Sequence, residues 1–187
     1  MSSVPNANLS QIDVAQLKAY ADRVSATPEL ADREPRVIAR WAGESRSKIA
    51  FGDASMHLGG DGELNPMQAV LGSLAACDVD LVAMHASLPG MEITELWVEA
   101  RGRFHVARYL GLDSQQPPGY QHVDYAVHLR VREASEEQIA RLRHLCETGS
   151  PVGDTLTRPV PATLDSMSAA ADQHRERNVR REEGGRW

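Results

Sequence analysis

One segment constrains this chain more than any other: "NPMQAVLGSLAACDVDLVAMHAS", from Asn65 to Ser87, is apolar on nearly every side. Asn65 is a typical helix N-cap, and the proline that follows it suits the first helical position. The "LPG" beginning at residue 88 predicts the end of the helix. A helix that is apolar nearly all round has to lie inside a fold or at a subunit interface. We therefore expect Cys77, within this helix, to be buried. Its apolar stripe recurs at helical spacing in Val70, Leu74, Cys77, Leu81 and Met84.

Pairs of antiparallel strands are predicted on both sides of this helix. "RVIARWA" (36–42) and "SKIAF" (47–51) flank "GESR" as a hairpin. "EITELWVEARGRF" (92–104) and "HVDYAVHLRVR" (122–132) form a second pair, and the latter alternates cleanly between apolar and polar residues. Connection by hairpins rather than by crossovers indicates the α+β fold class.

Further helices and an edge strand complete the predicted order α-β-β-α-β-β-α-β. One helix is predicted from Ser10 to about residue 24, and another follows Ser135, which forms a capping box with Gln138. Gly149 is predicted to end the latter helix in the left-handed conformation, and "RPVPATL" (158–164) to form the edge strand. We expect three regions: an N-terminal helical extension (1–34), a main domain (35–167), and a charged tail (168–187) that is disordered or becomes helical when docked.

Composition excludes several classes of function. The 187 residues carry a net charge of −6, which argues against a nucleic-acid-binding module. We identify neither an apolar run of about 18 residues that would span a bilayer nor a secretory signal. The seven histidines do not cluster and no zinc-binding motif occurs, so we expect no metal and no cofactor. Two cysteines do not make a disulfide framework, and we therefore expect a cytoplasmic protein.

Cys77 has no local group that would activate it. A reactive cysteine has to be a thiolate, which burial disfavours and which the carboxylates of Asp78 and Asp80 disfavour further if they are close. The dipole of the helix acts mainly within its first turn, and Cys77 lies beyond that turn. Two interpretations follow: a cation reaches Cys77 from elsewhere in the fold, or the cysteine is a small packing residue.

Three segments together resemble the OsmC/Ohr family. "NPMQAVLGSLAACDVDLVAMHASLPGMEI" (65–93) is similar to its central helix, while "YLGLDSQQPPGYQHVDYAVHLRV" (109–131) and "SPVGDTLTRPVPATL" (150–164) resemble the later strands and closing segment of its OsmC-like branch. The similarity covers about residues 37–164. It implies an intertwined homodimer whose long central helices pack between antiparallel sheets, with sites at the subunit interface. It also implies an antioxidant thiol peroxidase that reduces organic hydroperoxides, with Cys77 as the peroxidatic cysteine.

The chain departs from the family pattern at two places. Where peroxidases of the family have a Glu in the first turn of the central helix, this chain has Met67 and Gln68. Where the family has a resolving cysteine before a proline, this chain has Ser150. Cys146 lies about one helical turn earlier, and it either resolves Cys77 from a shifted position or completes the apolar stripe of its own helix.

The cation that the family pairs with its Glu also has several candidates here. The resemblance implies an Arg from the first hairpin, for which Arg46 is the first choice and Arg40 the second. His57 is a third choice, and Glu63 is the candidate for the missing acid.

Two functional hypotheses result. In the first, the chain is a cysteine-based hydroperoxide reductase with peroxiredoxin-like activity, slowed by the substitutions at residues 67, 68 and 150. Cys146 or an external thiol, such as a dithiol reductant, then reduces the oxidised Cys77. In the second, the chain is a catalytically degenerate OsmC-like protein that binds an apolar small molecule or a partner. Neither hypothesis involves nucleic acid or a membrane.

Overall fold

The computed structural model describes residues 12–167. The predicted cap at Ser10 and the predicted tail after residue 167 lie outside these residues. The elements are named here in chain order: helix α1 (Val14–Ala26), a 3-10 turn (Pro28–Ala31), strands β1 (Ile38–Trp41), β2 (Ser47–Phe51) and β3 (Ala54–Leu58), helix α2 (Pro66–Ser87), strands β4 (Ile93–Phe104) and β5 (Tyr120–Val131), and helices α3 (Glu136–Gly149) and α4 (Pro151–Thr157). The strands are all antiparallel, which confirms the predicted α+β class.

The first sheet has the order β1-β2-β3. The predicted hairpin is present, and its turn is made possible by positive φ angles at Gly43 (98°) and Glu44 (48°). Strand β3, "ASMHL", was not predicted, because it lacks β-branched residues and is short. It follows a tight turn at Gly52 and pairs with β2 from Phe51↔Ala54 to Ser47↔Leu58.

This sheet has one apolar and one cationic face. Because side chains alternate along a strand, the apolar face collects Ile49 and Met56 opposite Ala39, together with Trp41, Phe51 and Leu58. Within the described chain, the side chains of Trp41, Phe51 and Met56 are exposed. The sheet therefore has an apolar surface that the rest of its own chain does not cover.

Helix α2 begins and ends where the sequence predicts. Asn65 and Gln68 form a reciprocal capping box, in which each backbone N–H donates to the side chain of the other at 2.9 and 2.8 Å. The first turn is also tied to the long hairpin, because the Tyr120 hydroxyl donates to the Met67 carbonyl at 2.6 Å. At the two positions where the resemblance implies a Glu, the Gln68 side chain thus caps the helix, and the Met67 backbone carbonyl accepts a hydrogen bond from β5.

The core lies between α2, the β4–β5 hairpin and α3. Its buried members are Val82, Ala86, Met91, Ile93, Leu142 and Cys146. The alternation predicted for β5 is confirmed, since Val127, Leu129 and Val131 pack against this cluster. Within the described chain, α2 is buried along one side. That side carries four residues spaced about one turn apart: Leu74, Asp78, Val82 and Ala86.

The remaining sides of α2 stay partly accessible within the chain. By length and hydropathy alone this helix could cross a membrane, contrary to the expectation that no such segment exists. Core helices of globular proteins have the same composition. Here α2 packs against β4, α3 and α4, as a central helix of a globular domain does.

The closing segment differs from the prediction. Residues 158–164 pair with no strand of the described chain, and a short helix, α4, precedes them instead. Gly149 is the last residue of α3 and lacks a positive φ, so the predicted left-handed cap is wrong. The reason is Pro151, which holds Ser150 in an extended conformation (φ −75°, ψ 110°) and starts a new helix at once.

Candidate functional site

Cys77 lies about three turns into α2 and is only partly buried. The expectation that it is buried is therefore wrong for the single chain, because α4, which covers this side of α2, is only seven residues long. Its sulfur has one hydrogen-bond partner among the described residues. The Ser150 hydroxyl donates to Cys77 Sγ at an Oγ–Sγ distance of 3.6 Å.

Ser150 has a second role at the junction of two helices. It is the C-cap of α3 and the N-cap of α4, and its Oγ accepts the Gly153 N–H at 3.2 Å. Ser150 is buried, with 2% of its surface exposed. Gly153 allows this close packing, because a Cβ there would lie 3.1 Å from Ser150 Oγ and 3.8 Å from Leu74 on α2. Sequence reasoning singled out Ser150 only as a lost cysteine; the pattern Ser-Pro-x-Gly was the signal for its capping role.

Cys146 lies in the hydrophobic core rather than against Cys77. It packs with Val82 and Leu142, and the structure records no hydrogen bond between the two cysteines within residues 12–167. Burial, followed by the nearby carboxylates of Asp78 and Glu147, raises the pKa of Cys146 to about 11. This environment keeps the thiol protonated and favours the interpretation of Cys146 as a packing residue.

Asp78 is fully buried one residue after Cys77. Neither of its carboxylate oxygens meets the geometry of a hydrogen bond to any described residue. The carboxylate still lies near Tyr125 on β5, whose pKa is raised by burial first and by Asp78 second. Asp78 thus faces Tyr125 of β5 and Cys146 of α3, whereas Cys77 faces Ser150.

Arg46 and Glu63, the first candidates for the cation and the acid, form an ion pair with each other. Two parallel contacts join them, Nη2 to Oε1 at 2.9 Å and Nε to Oε2 at 3.1 Å. This is the bidentate geometry in which an arginine is held most rigidly by a carboxylate. Within the described residues, 12–167, no hydrogen bond or ion pair links Arg46 to Cys77.

The other two cation candidates lie together on the first sheet. Arg40 pairs in register with Lys48, and Lys48 pairs with His57, so the three form a row across the cationic face. All three are exposed. The structure brings none of them into contact with Cys77 among the described residues.

A cavity of about 530 Å³ lies beside the core, between α3 and β5. Its walls include Cys146 but not Cys77, and most of the remaining lining is apolar: Val82, Val127, Leu129, Ile139 and Leu142. As for metals, no three ligand side chains gather in the part of the chain that the structure describes.

A long helix with a half-buried cysteine, packed on an antiparallel hairpin and closed by a serine-capped turn, defines a thiol-bearing α+β domain. Residues 59–165 match the family model described as OsmC-like protein, and the chain belongs to this family. No curated protein matches the chain at a significant level.

Solved structures give the same fold. An OsmC-like protein from Mycoplasma pneumoniae is 17% identical with a TM-score of 0.56, over 67% of this chain and 88% of that one. An OsmC-like protein of unknown function from Vibrio cholerae is 12% identical with a TM-score of 0.54, over 66% and 94%. The organic hydroperoxide resistance protein OhrB of Bacillus subtilis is 15% identical with a TM-score of 0.43, over 67% and 91%. At these identities the first two comparisons establish the fold alone.

Proposed function

We propose that this chain reduces organic hydroperoxides through Cys77 by a one-cysteine route. Family membership supports the peroxidatic role of Cys77. The observation that carries the route is the 3.6 Å contact between Cys77 Sγ and Ser150 Oγ. At the position where the family has its resolving cysteine, a hydroxyl rather than a second thiol lies against Cys77.

The chemistry of this route needs an external thiol. The Cys77 thiolate attacks the O–O bond of the hydroperoxide, takes up one oxygen as a sulfenic acid, and releases an alcohol once a proton is supplied. A thiol from solution then attacks the sulfur, forming a mixed disulfide and water. A second thiol, or the second thiol of a dithiol reductant, releases reduced Cys77 and a disulfide product. A cytoplasmic location, which we also propose, would supply such thiols.

Arg46 is our proposed source of positive charge for the thiolate. Its ion pair with Glu63 holds the guanidinium in one orientation, as a preorganised support requires. Because Arg46 does not contact Cys77 in its own chain, we propose that it acts across a subunit interface, as the resemblance to the family implies. We expect a slow enzyme, since the carboxylate partner comes from a loop rather than from the first turn of α2.

We further propose that the active form is a homodimer. The β1–β3 sheet exposes an apolar face that includes Trp41, Phe51 and Met56. The partly accessible sides of α2 are apolar as well. Apolar surfaces on this scale are typical of subunit interfaces, and a second copy would cover both.

A second candidate function rests on the cavity between α3 and β5. Its volume of about 530 Å³ and its mainly apolar walls, with Arg143 and Glu147 as charged members, suit a small ligand that is largely apolar. In that case the chain would be a binding protein that has the OsmC-like fold but does not reduce hydroperoxides.

The decisive experiment is intact-mass spectrometry of the reduced protein after one equivalent of cumene hydroperoxide. We expect the mass of one oxygen on the wild-type chain, or a mixed disulfide when a small thiol is present. Cys77→Ser should show neither product, whereas Cys146→Ser should behave as the wild type. A wild-type chain whose mass and free thiols are unchanged would refute peroxide chemistry and favour the binding protein.

A further inference from the structure

We propose that Ser150 is a positioning residue that stabilises the thiolate of Cys77 through its hydroxyl hydrogen. The inference deepens the proposed function and concerns the same sulfur. It assigns to Ser150 part of the role that the resemblance gives to an Arg–Glu pair, whose Glu position in the first turn of α2 is taken here by Met67 and Gln68.

The Ser150 hydroxyl can donate to the sulfur while the same oxygen caps α4. Since a thiolate has no hydrogen to give, the hydroxyl is the donor whenever Cys77 is ionised. A serine hydroxyl has one hydrogen to donate and two lone pairs to accept with. Ser150 Oγ uses one lone pair for the Gly153 N–H at 3.2 Å. Its hydrogen is left for Cys77 Sγ, 3.6 Å away. An amide that donates to the oxygen also polarises the O–H bond and makes it a better donor.

Burial strengthens this arrangement. Ser150 is 2% exposed, so water hardly competes for its hydrogen. A hydrogen bond to an ionised acceptor contributes more than one to a neutral acceptor, and this difference favours the thiolate over the thiol. Cys77 is only partly buried as a residue, so the site is not sealed from solvent by its own chain.

Helix capping alone does not explain a serine at this position. Asp, Asn and Ser cap helices about equally well, because the cap needs only an acceptor oxygen. Only a side chain that also donates can support the sulfur. Gly153 leaves room for this side chain, since a Cβ there would lie 3.1 Å from both the Cβ and the Oγ of Ser150.

The chain offers a matched control for the capping role. Ser135 is the N-cap of α3, and its Oγ accepts the Gln138 N–H at 3.2 Å, the same distance as in the α4 cap. No thiol contact of Ser135 is recorded in the described residues. Ser135→Ala therefore removes a comparable cap without removing a donor to sulfur.

The test is the rate at which iodoacetamide alkylates Cys77 in the full chain, measured by peptide mass across a pH series. We expect Ser150→Ala to slow alkylation about tenfold near neutral pH, and to move the rise of the rate to higher pH. Ser150→Asp keeps the cap, loses the donor and adds a negative charge, so it should be at least as slow. Ser150→Thr, which keeps cap and donor, should stay within about twofold of the wild type.

Ser135→Ala should alkylate at the wild-type rate even if it is equally destabilised. Ser150→Ala or Ser150→Asp alkylating as fast as the wild type would overturn the proposal, as would an equal loss in Ser135→Ala. The alkylation needs no peroxide, so this result is separate from the proposed function. If the alkylation results are as expected but the protein does not react with hydroperoxide, the proposed role of Ser150 stands and the proposed reductase activity is refuted.

Discussion

Replacing Ser150 by cysteine should convert a one-cysteine site into a two-cysteine site. The Oγ–Sγ distance is 3.6 Å, so two sulfur atoms at these positions need to approach by about 1.5 Å more to reach the length of a disulfide. A rotation about side-chain bonds can provide such a movement. We therefore expect Ser150→Cys to form an internal disulfide with Cys77 after one equivalent of hydroperoxide.

The disulfide should also change stability by an amount that the structure sets. It would close a loop between residues 73 positions apart, for which chain entropy gives about 4 kcal/mol of stabilisation. Loss of the α4 cap costs about 1 kcal/mol. Oxidised Ser150→Cys should thus be more stable than the wild type by about 3 kcal/mol, and the reduced form should be less stable by about 1 kcal/mol.

Intact mass and urea unfolding with and without a reductant measure both effects. The oxidised variant should lose the mass of two hydrogen atoms, and the double variant Ser150→Cys with Cys77→Ser should not. An oxidised, folded variant that retains two free thiols at positions 77 and 150 would refute the contact from which the route is inferred.

Three further predictions concern other parts of the chain. The pKa of Cys146 is raised from 9.0 to about 11 in the folded protein, so the unfolded chain loses this proton at a lower pH. The free energy of unfolding should therefore be undiminished below pH 9 and fall towards pH 11, by at most about 1.4 kcal/mol per pH unit. Urea titrations should show this decline, and Cys146→Ala should make it shallower without abolishing it, since burial also raises the pKa of Tyr125. Arg46→Ala should change stability by less than about 1 kcal/mol, because the pair is partly exposed, yet should slow peroxide oxidation of Cys77 in stopped-flow measurements; an unchanged rate would limit Arg46 to a structural role. Met56→Glu on the apolar face of the first sheet should shift the protein towards monomer in light scattering, whereas Lys48→Glu on the other face should leave the dimer intact; equal behaviour of the two would contradict the proposed interface.

Local sequence signals predicted the central elements well. The bounds of α2 follow from a cap, a proline and a stop that lie within a few residues of the helix. The capping box of Ser135 and Gln138 is likewise present as predicted. Strand β3 and helix α4 were missed because their residues have weak propensities and depend on neighbours, a pairing strand in one case and Pro151 in the other.

The site was predictable in its members but not in its contacts. Sequence comparison identified Cys77 and Ser150 as the positions that matter, yet only the fold brings residues so distant along the chain to 3.6 Å. Arg46 and Glu63 were chosen separately, and their mutual ion pair could not be read from a spacing of 17 residues. For Cys146, the apolar stripe of α3 correctly indicated a place in the core.

The sequence separation between Ser150 and Cys77 gives their contact a use in studies of folding. The β4–β5 hairpin and α3 make up most of the chain between the two residues. Because closing so long a loop costs more entropy than forming local contacts, we expect the Ser150–Cys77 contact to form after these elements have docked on α2. The reactivity of Cys77 should consequently change when docking is complete, so a pulse of thiol label during refolding would time the assembly of the domain without an added probe.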